Sequence, residues 1–156
     1  MRNDAGREQR IQTLFLHPVE LYDLADVARL TGMPLRKLRR EVAGGYRDGL
    51  KVRGAWRFTW QQAACLALER WTLAEIHEAL GDDASAVLPP LLSLRSVTLR
   101  LPEYVLRALE TIAAEHGVTM DHALYGELLD FAGTLSGRME ATVPGYRRAY
   151  LFPGRE

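Results

Sequence analysis

The stretch from Thr31 to Thr59, TGMPLRKLRREVAGGYRDGLKVRGAWRFT, determines how the rest of the chain is interpreted. It predicts a short cationic helix over residues 34–43 followed by a short cationic hairpin. Pro34 suits the first position of a helix, because that position has no use for the N–H that proline lacks. Apolar residues then recur at helical spacing and predict a buried face. The other faces carry Arg36, Lys37, Arg39 and Arg40.

A hairpin over residues 50–58 is predicted next. Two glycines separate it from the helix, and glycine after a helix C-terminus adopts the left-handed conformation without a Cβ clash. The strands LKV and WRF alternate apolar with basic residues, and Arg53-Gly54 between them supplies a turn residue that tolerates positive φ. This alternation predicts that Lys51 and Arg57 share one face of the two-stranded wing.

Positive charge is concentrated in this part of the chain. Residues 35–57 hold eight basic residues against Glu41 and Asp48, a local net charge of +6, whereas the whole chain nets zero. A charge run alone is often a solvated helix face, but the basic hairpin beside it favours a polyanionic partner, since the potential follows local charge. We expect that partner to be double-stranded DNA. The predicted contacts are Arg36, Lys37, Arg39, Arg40, Arg47, Lys51, Arg53 and Arg57.

The residues upstream are predicted to hold this helix in place. Residues 1–20 form an N-terminal segment, and the first ten of them are polar enough to predict a loosely attached end. Asp23 is expected to cap a helix from Leu24 to Leu30, and Gly32 makes the turn into the next helix.

Two scaffold helices are predicted downstream of the hairpin. Thr59 with Gln62 has the spacing of a capping box, in which a side chain at each end of the first turn bonds the other's backbone N–H. Thr72 with Glu75 repeats the pattern, and Gly81 ends the second helix. The last of these residues also closes the first predicted domain, 21–81.

This domain resembles the winged helix-turn-helix of the MerR and excisionase families. YDLADVARLTGMPLRKLRR resembles their first two helices, VRGAWRFT the wing, and WTLAEIHEALG the last helix. The resemblance implies sequence-directed binding of duplex DNA, with the second helix in the major groove and the wing along the backbone. One departure is Met33, which stands where these families often have a Ser or Thr N-cap and leaves the helix without a side-chain acceptor.

Residues 82–94 are predicted to be a linker, because paired aspartates and paired prolines interrupt any helix there. A second domain, 95–135, begins with strict apolar–polar alternation over residues 96–101, which predicts a strand. Pro102 then opens a helix that Gly117 ends. A further helix follows, with Thr119 as its cap and an apolar stripe of Leu124, Leu128, Leu129 and Phe131.

A lone strand leaves a row of backbone groups unpaired. We therefore expect it to pair antiparallel with the same strand of a second copy, so that the protein is a homodimer through strand 96–101. The dimerisation residues are Val97, Leu99 and Leu101.

The sequence VTLRLPEYVLRALETIAAEHGVTMDHALYGELLDF resembles a ribbon-helix-helix domain of the Arc and CopG type, found in small bacterial repressors and antitoxins. In that family the outward strand residues read bases, which carries over to Ser96, Thr98 and Arg100. Residues 95–131 net −3, which is little positive charge for a DNA reader. We therefore expect this domain chiefly to dimerise the chain, with direct DNA contact as the alternative.

In the C-terminal tail, 136–156, aromatic and basic residues are interleaved. This pattern fits two outcomes: the tail binds a partner, such as a protein, or it folds over its own domain. Several features that would indicate other classes of protein are missing from the sequence. It has no apolar run long enough for a membrane span, no signal peptide, no metal-ligand spacing, and one cysteine, which excludes an intrachain disulfide. We expect no cofactor, no enzymatic activity and a cytoplasmic, nucleoid-associated location.

The fold class expected is mainly α, a winged helix-turn-helix domain followed by a ribbon-helix-helix-like domain with a strand paired across a dimer. The function expected is transcriptional regulation, in a bacterium or from a phage or plasmid, by a dimer reading duplex DNA through helix 34–43 and wing 50–58. The alternatives are an architectural DNA-bridging protein and an antitoxin-like protein-interaction adaptor.

Overall fold

The computed structural model describes residues 4–154 and divides them into two compact units. The first runs to Leu88 and also includes Pro153 and Gly154, whereas the second is Pro89–Phe152. The fold is mainly helical, as the sequence predicts at this coarse level, and the described residues include a three-stranded antiparallel sheet whose first strand was not predicted. Within the described residues, no helix combines the length and apolar character needed to cross a bilayer.

Helix α1 spans Asp4–Leu16, so the prediction of a loosely attached polar end is wrong from Asp4 onward. Residues 1–3, the start of that predicted end, lie outside the described part of the chain. One side of α1 is polar, and Arg7 on it hydrogen-bonds Glu75 of a later helix. Composition misled here because three apolar residues suffice to anchor the helix. The buried side chains are Ile11, Leu14 and Phe15.

Helix α2, Leu24–Thr31, begins as predicted. The Asp23 carboxylate accepts a hydrogen bond of 2.7 Å from the Asp26 N–H, which satisfies one of the free donors of the first turn. Gly32 ends the helix in the left-handed conformation, with φ at 70°. A Cβ cannot be accommodated there without strain, which explains the glycine in the turn to the next helix.

Helix α3, Leu35–Ala43, starts one residue later than the sequence predicts. Pro34 is its N-cap: φ of −59° is what the ring requires, but ψ of 124° keeps the residue extended. The Pro34 carbonyl accepts from the Leu38 N–H at 3.1 Å, and no side chain caps this end. At the other end the left-handed residue is Gly45, at φ 73°, rather than Gly44.

The sheet contains β1 (Leu21–Asp23), β2 (Leu50–Val52) and β3 (Ala55–Thr59) in the order β1-β3-β2. The predicted hairpin is confirmed, but one detail of its faces is wrong. Lys51 lies opposite Trp56, and Arg57 lies opposite residue 50. Directly opposite residues share a face, so the two cations point to different sides of the sheet. The two-residue turn fixes this register.

Helices α4 (Trp60–Arg70) and α5 (Leu73–Leu80) both begin with complete capping boxes, as predicted. A 3-10 turn leads into the short helix α6, Ala84–Val87, and a second such turn covers Pro90–Leu92. The boundary between the units differs from the predicted linker, because residues 82–88 belong to the first unit, with Leu88 buried in it.

The second unit contains α7 (Glu103–His116), α8 (Met120–Thr134), α9 (Ser136–Thr142) and α10 (Tyr146–Tyr150). Gly117 ends α7 at φ 63°, and the Thr119 hydroxyl caps α8, both as predicted. Residues 93–102 form neither a helix nor a strand in the single chain. The expected strand is therefore not formed by one copy alone.

Three of the four residues of the predicted apolar stripe on α8 are exposed in the single chain. Leu128, Leu129 and Phe131 are exposed, and Phe131 keeps 62% of its surface accessible. The buried residues of the unit are small or medium in size. They are Pro89, Leu109, Ala113 and Ala123.

Up to Phe152 the tail folds over its own unit, the second of the two outcomes the sequence left open, and Pro153 and Gly154 belong to the first unit. The tail forms α9 and α10. The Tyr146 hydroxyl donates to the Ala132 carbonyl at 3.0 Å, and the Tyr146 and Tyr150 rings stack at 6.1 Å between centroids. Arg155 and Glu156, the end of the predicted tail, lie outside the described residues.

Candidate nucleic-acid interface

Helix α3 separates its apolar and basic residues by face. Leu38 and Val42 are buried against α2 and the hairpin side of the unit. Arg36 and Arg40, four residues apart, fall on the opposite side of the helix, and Arg39 lies on its flank. All three guanidinium groups are exposed. None of them forms an ion pair or a side-chain hydrogen bond with another residue in the range 4–154.

The turn of the hairpin carries a fourth cation without a carboxylate partner among the described residues, Arg53. Its φ is 50°, and that of Gly54 is 81°, so both central residues have the positive φ of a type I′ turn. Arg53 is the sole non-glycine residue with positive φ between residues 4 and 154. An L-residue in this region costs about 1–2 kcal/mol, and asparagine tolerates it better than arginine. Arg53 is therefore held in a strained backbone conformation.

The hairpin is adjacent to α3. Gly49, just before β2, fits between the two elements: a Cβ at this position would lie 3.1 Å from Cγ1 of Val42 and 3.3 Å from Cε3 of Trp56. Lys51 lies over that indole, with Nζ 5.7 Å from the ring centroid. A cation over an aromatic face is attracted by the ring quadrupole, so Trp56 orients this lysine.

Arg47 differs from the other predicted contacts because the chain's own carboxylates bind it. Its Nη1 and Nη2 donate to both oxygens of Glu69 on α4, at 2.9 and 2.8 Å, and its Nε donates to Glu41 on α3. The hydrogen bond from Arg47, followed by charges on Arg47, Lys37 and Arg40, holds the pKa of Glu41 below its usual range despite the opposing effect of burial. The two carboxylates in turn raise the pKa of Arg47. This arginine links α3 to α4.

Two further predicted contacts are partly engaged. Lys37 Nζ lies 3.8 Å from Glu41, and Arg57 Nη1 lies 3.9 Å from Asp23. Both distances are at the long end for an ion pair, and the two cations keep 52% and 38% of their side-chain surface, so each pair contributes little to stability. Such contacts leave the cations able to turn towards another anion.

The second unit displays its predicted residues on an irregular segment. Ser96, Thr98 and Arg100 are exposed, but so are Val97, at 75% of its surface, and Leu99; Leu101 is half-buried. One copy of the chain therefore brings together neither a DNA-reading face nor a dimer face at this segment.

Sequence reasoning missed the partners of Arg47 and Lys51. Glu69 lies 22 positions after Arg47, and no local pattern connects the two. For Lys51 a signal was present, because the two-residue turn places it opposite an indole. A register count would have found that contact.

Within residues 4–154, no cluster of three or more His, Cys, Asp or Glu side chains has the arrangement of a metal site. The chemistry that the arrangement offers is electrostatic: four arginines that form no ion pair or side-chain hydrogen bond with residues 4–154 lie on a helix and on the tip of a neighbouring hairpin. No protein-family model, no curated protein and no solved structure matches the chain.

Proposed function

We propose that the protein is a dimeric DNA-binding regulator of transcription, with α3 as the recognition helix and the hairpin as a wing. On this proposal the first unit is a winged helix-turn-helix related to the MerR and excisionase type, and the second is a ribbon-helix-helix-like dimeriser. The protein acts in the cytoplasm, on the nucleoid, without enzymatic chemistry.

The observation that carries the proposal is the set of four unpaired cations. The first unit has carboxylates close to α3, and Glu41 and Glu69 do neutralise Arg47. The exposed arginines of α3 have no such partner among residues 4–154. An exposed, uncompensated arginine face on a helix is the electrostatic feature that duplex DNA requires of a recognition element. Arg47 is left out of the proposed contact set. The contacts proposed are Arg36, Arg39, Arg40 and Arg53, with Lys37, Lys51 and Arg57 as supporting charges.

Strain at the hairpin tip supports the same assignment. An asparagine would suit φ of 50° at position 53 better than the arginine present, so the fold alone does not explain that side chain. A residue kept in an unfavourable conformation is a reason to look for a function. A cation at the wing tip would contact phosphate beside the groove that α3 enters.

Dimerisation is supported by the apolar surface of the second unit. Val97 and Leu99 are exposed at alternate positions of the irregular segment 93–102, and α8 exposes the large apolar side chains of Leu128, Leu129 and Phe131. A surface of exposed large apolar side chains marks a site of association. Pairing of strand 96–101 with its copy would cover these residues and set two copies of α3 on a palindromic site.

The DNA contacts are tested with full-length protein on a selected duplex site at several salt concentrations. Arg36→Ala with Arg40→Ala should weaken binding and reduce the slope of log affinity against log salt by about one per lost phosphate contact. Arg53→Asn should weaken binding while leaving the thermal stability unchanged or higher, since asparagine suits the turn.

Arg70→Ala is the matched control. Arg70 is an exposed arginine of the same unit at the end of α4, away from α3 and the hairpin tip in the chain. It should change DNA affinity less than twofold. Equal losses for Arg70→Ala and for the α3 variants would mean that only net charge matters, and unchanged affinity in the α3 variants would remove the proposal.

The dimer is tested by sedimentation equilibrium. Leu99→Pro removes a backbone N–H from the proposed strand pair and should give monomers, because proline cannot donate to the ladder. Thr98→Ala, on the other face of the same segment, should leave the dimer intact. A Leu99→Pro variant that still dimerises would place the association elsewhere.

The exposed apolar surface of the second unit also favours a second candidate, the protein-interaction adaptor. Such a patch suits a foreign protein as well as a second copy. The two candidates differ in one result: an adaptor would stay monomeric alone at concentrations at which the regulator dimerises.

A further inference from the structure

A cleft of about 320 Å³ lies in the first unit, between the segment that joins α3 to β2 and one side of α4. Tyr46, Arg47 and Asp48 form one wall, and α4 contributes Gln61, Leu66 and Glu69 to the other. This volume is at the lower end of those that bind small molecules. Apolar and polar groups both line it, as such sites require.

The charges in the cleft favour a cation. Arg47 brings one positive charge, but Glu69 and Glu41 already bind its guanidinium group. Asp48 adds a carboxylate that makes no ion pair or hydrogen bond within the described part of the chain. The cleft therefore carries excess negative charge, with one carboxylate available to a ligand.

The remaining wall groups favour a flat ligand with hydrogen-bond donors. The Tyr46 side chain is 84% exposed, and although Cδ2 and Cε2 of its ring lie over Gly44, the exposed part can stack on a planar group or lie against a cation. Gln61 offers an amide oxygen that no described residue uses, and Leu66 gives an apolar surface. Each of these groups has a role in holding an aromatic cation.

We propose that this cleft binds a small organic cation, an amidinium or ammonium group carried on a flat apolar body. The charged group is bound by Asp48, and the flat body lies against Tyr46 and Leu66. The proposal goes beyond the DNA-binding function and does not depend on it, since it concerns the protein without DNA.

The test compares three probes of nearly equal size and shape: benzamidine, which is cationic, benzamide, which is neutral, and benzoate, which is anionic. Each is titrated into the full chain, and backbone amide signals are followed by NMR. Benzamidine should shift signals from residues 46–48 and 61–69 and bind at least threefold more tightly than benzamide, with benzoate weakest. Raising the salt concentration should reduce the difference.

Two variants locate the charge that matters. Asp48→Asn should weaken benzamidine binding about threefold or more and leave benzamide binding unchanged. Asp83→Asn, which removes an exposed carboxylate of the same unit outside the cleft, should change neither. Equal binding of the three probes, shifts confined to other residues, or an Asp48→Asn variant that binds benzamidine as well as the parent would each overturn the proposal.

Discussion

The two units of this protein differ in how they treat large apolar side chains. The first unit buries most of its largest, including Phe58, Leu14 and Ile76, and leaves a few, such as Tyr46 and Leu50, at its surface. The second unit exposes residues of the same size, such as Phe131 and Leu128, and its buried residues are small or medium in size. Because burial of apolar surface is the main stabilising contribution in folding, the first unit has the larger core of its own. This difference supports the proposal that the first unit recognises DNA and that the second associates with its copy.

Substitution of one phenylalanine in each unit gives the largest expected difference. Phe58→Ala should lower the free energy of unfolding of the first unit by about 3–5 kcal/mol, because it leaves a cavity in a closed core. Phe131→Ala should change the same transition by less than about 0.5 kcal/mol. Tryptophan fluorescence in urea measures this, since all three tryptophans lie in the first unit.

The contrast between the two units would be contradicted if Phe131→Ala lowered the free energy of unfolding, measured by tryptophan fluorescence, as much as Phe58→Ala does. That result would mean that the two units unfold as one. If Phe131→Ala instead weakens only the sedimentation dimer, the division of roles is sharpened.

Alanine at two glycines gives the next largest effect. Gly49→Ala should destabilise the first unit by roughly 1–3 kcal/mol, because the added Cβ would crowd Val42 and Trp56. Gly126→Ala lies within α8 with nothing within 4 Å of its Cβ. It should raise helix stability by about 0.5–1 kcal/mol through propensity alone. Circular dichroism during thermal unfolding measures both.

The Gly126→Ala variant also tests what covers α8. Loss of stability or of the dimer on adding this methyl group would mean that a partner packs closely against residue 126. A gain in stability with an intact dimer would leave this side of α8 facing solvent.

Acid titration gives the smallest effect. The pKa of Glu41 is lowered in the folded state, chiefly by its hydrogen bond from Arg47. Its stabilising contribution is therefore present above the unfolded-state pKa, about 4.3, and is lost as pH falls through the lower folded value. Glu41→Gln should flatten the pH dependence of unfolding below about pH 4.5. In an Arg47→Met background the same substitution should have almost no further effect on that slope; an equal effect in both backgrounds would contradict the assignment.

Local rules predicted the parts of the fold that depend on neighbours in sequence. The caps at Asp23, Thr59, Thr72 and Thr119, the hairpin turn and the glycine that ends α7 were all readable, since each is a contact over three or four residues. The exposed arginines of α3 followed from helical spacing.

The predictions from sequence failed where contacts between residues far apart in the chain, or with another molecule, determine the structure. Polar composition hid α1, which packs against α2 and, more than forty residues later in the chain, against α4 and α5. Arg47 looked like its neighbours in sequence, but Glu69 on α4 binds it. The apolar stripe of α8 was predicted from its spacing, but spacing does not say which molecule will cover it. No pattern in one chain contains that information.

The last described residues of the chain belong to the first unit. Pro153 is buried, and a Cβ added to Gly154 would lie 3.7 Å from the Gln61 side chain on α4. The chain therefore returns to the first unit after the second unit ends. The second unit is thus an insertion in the chain order of the first. A fragment that simply stops at residue 88 would discard a piece of the part it aims to isolate. A better minimal protein would excise residues 89–152 and rejoin the ends through a flexible bridge.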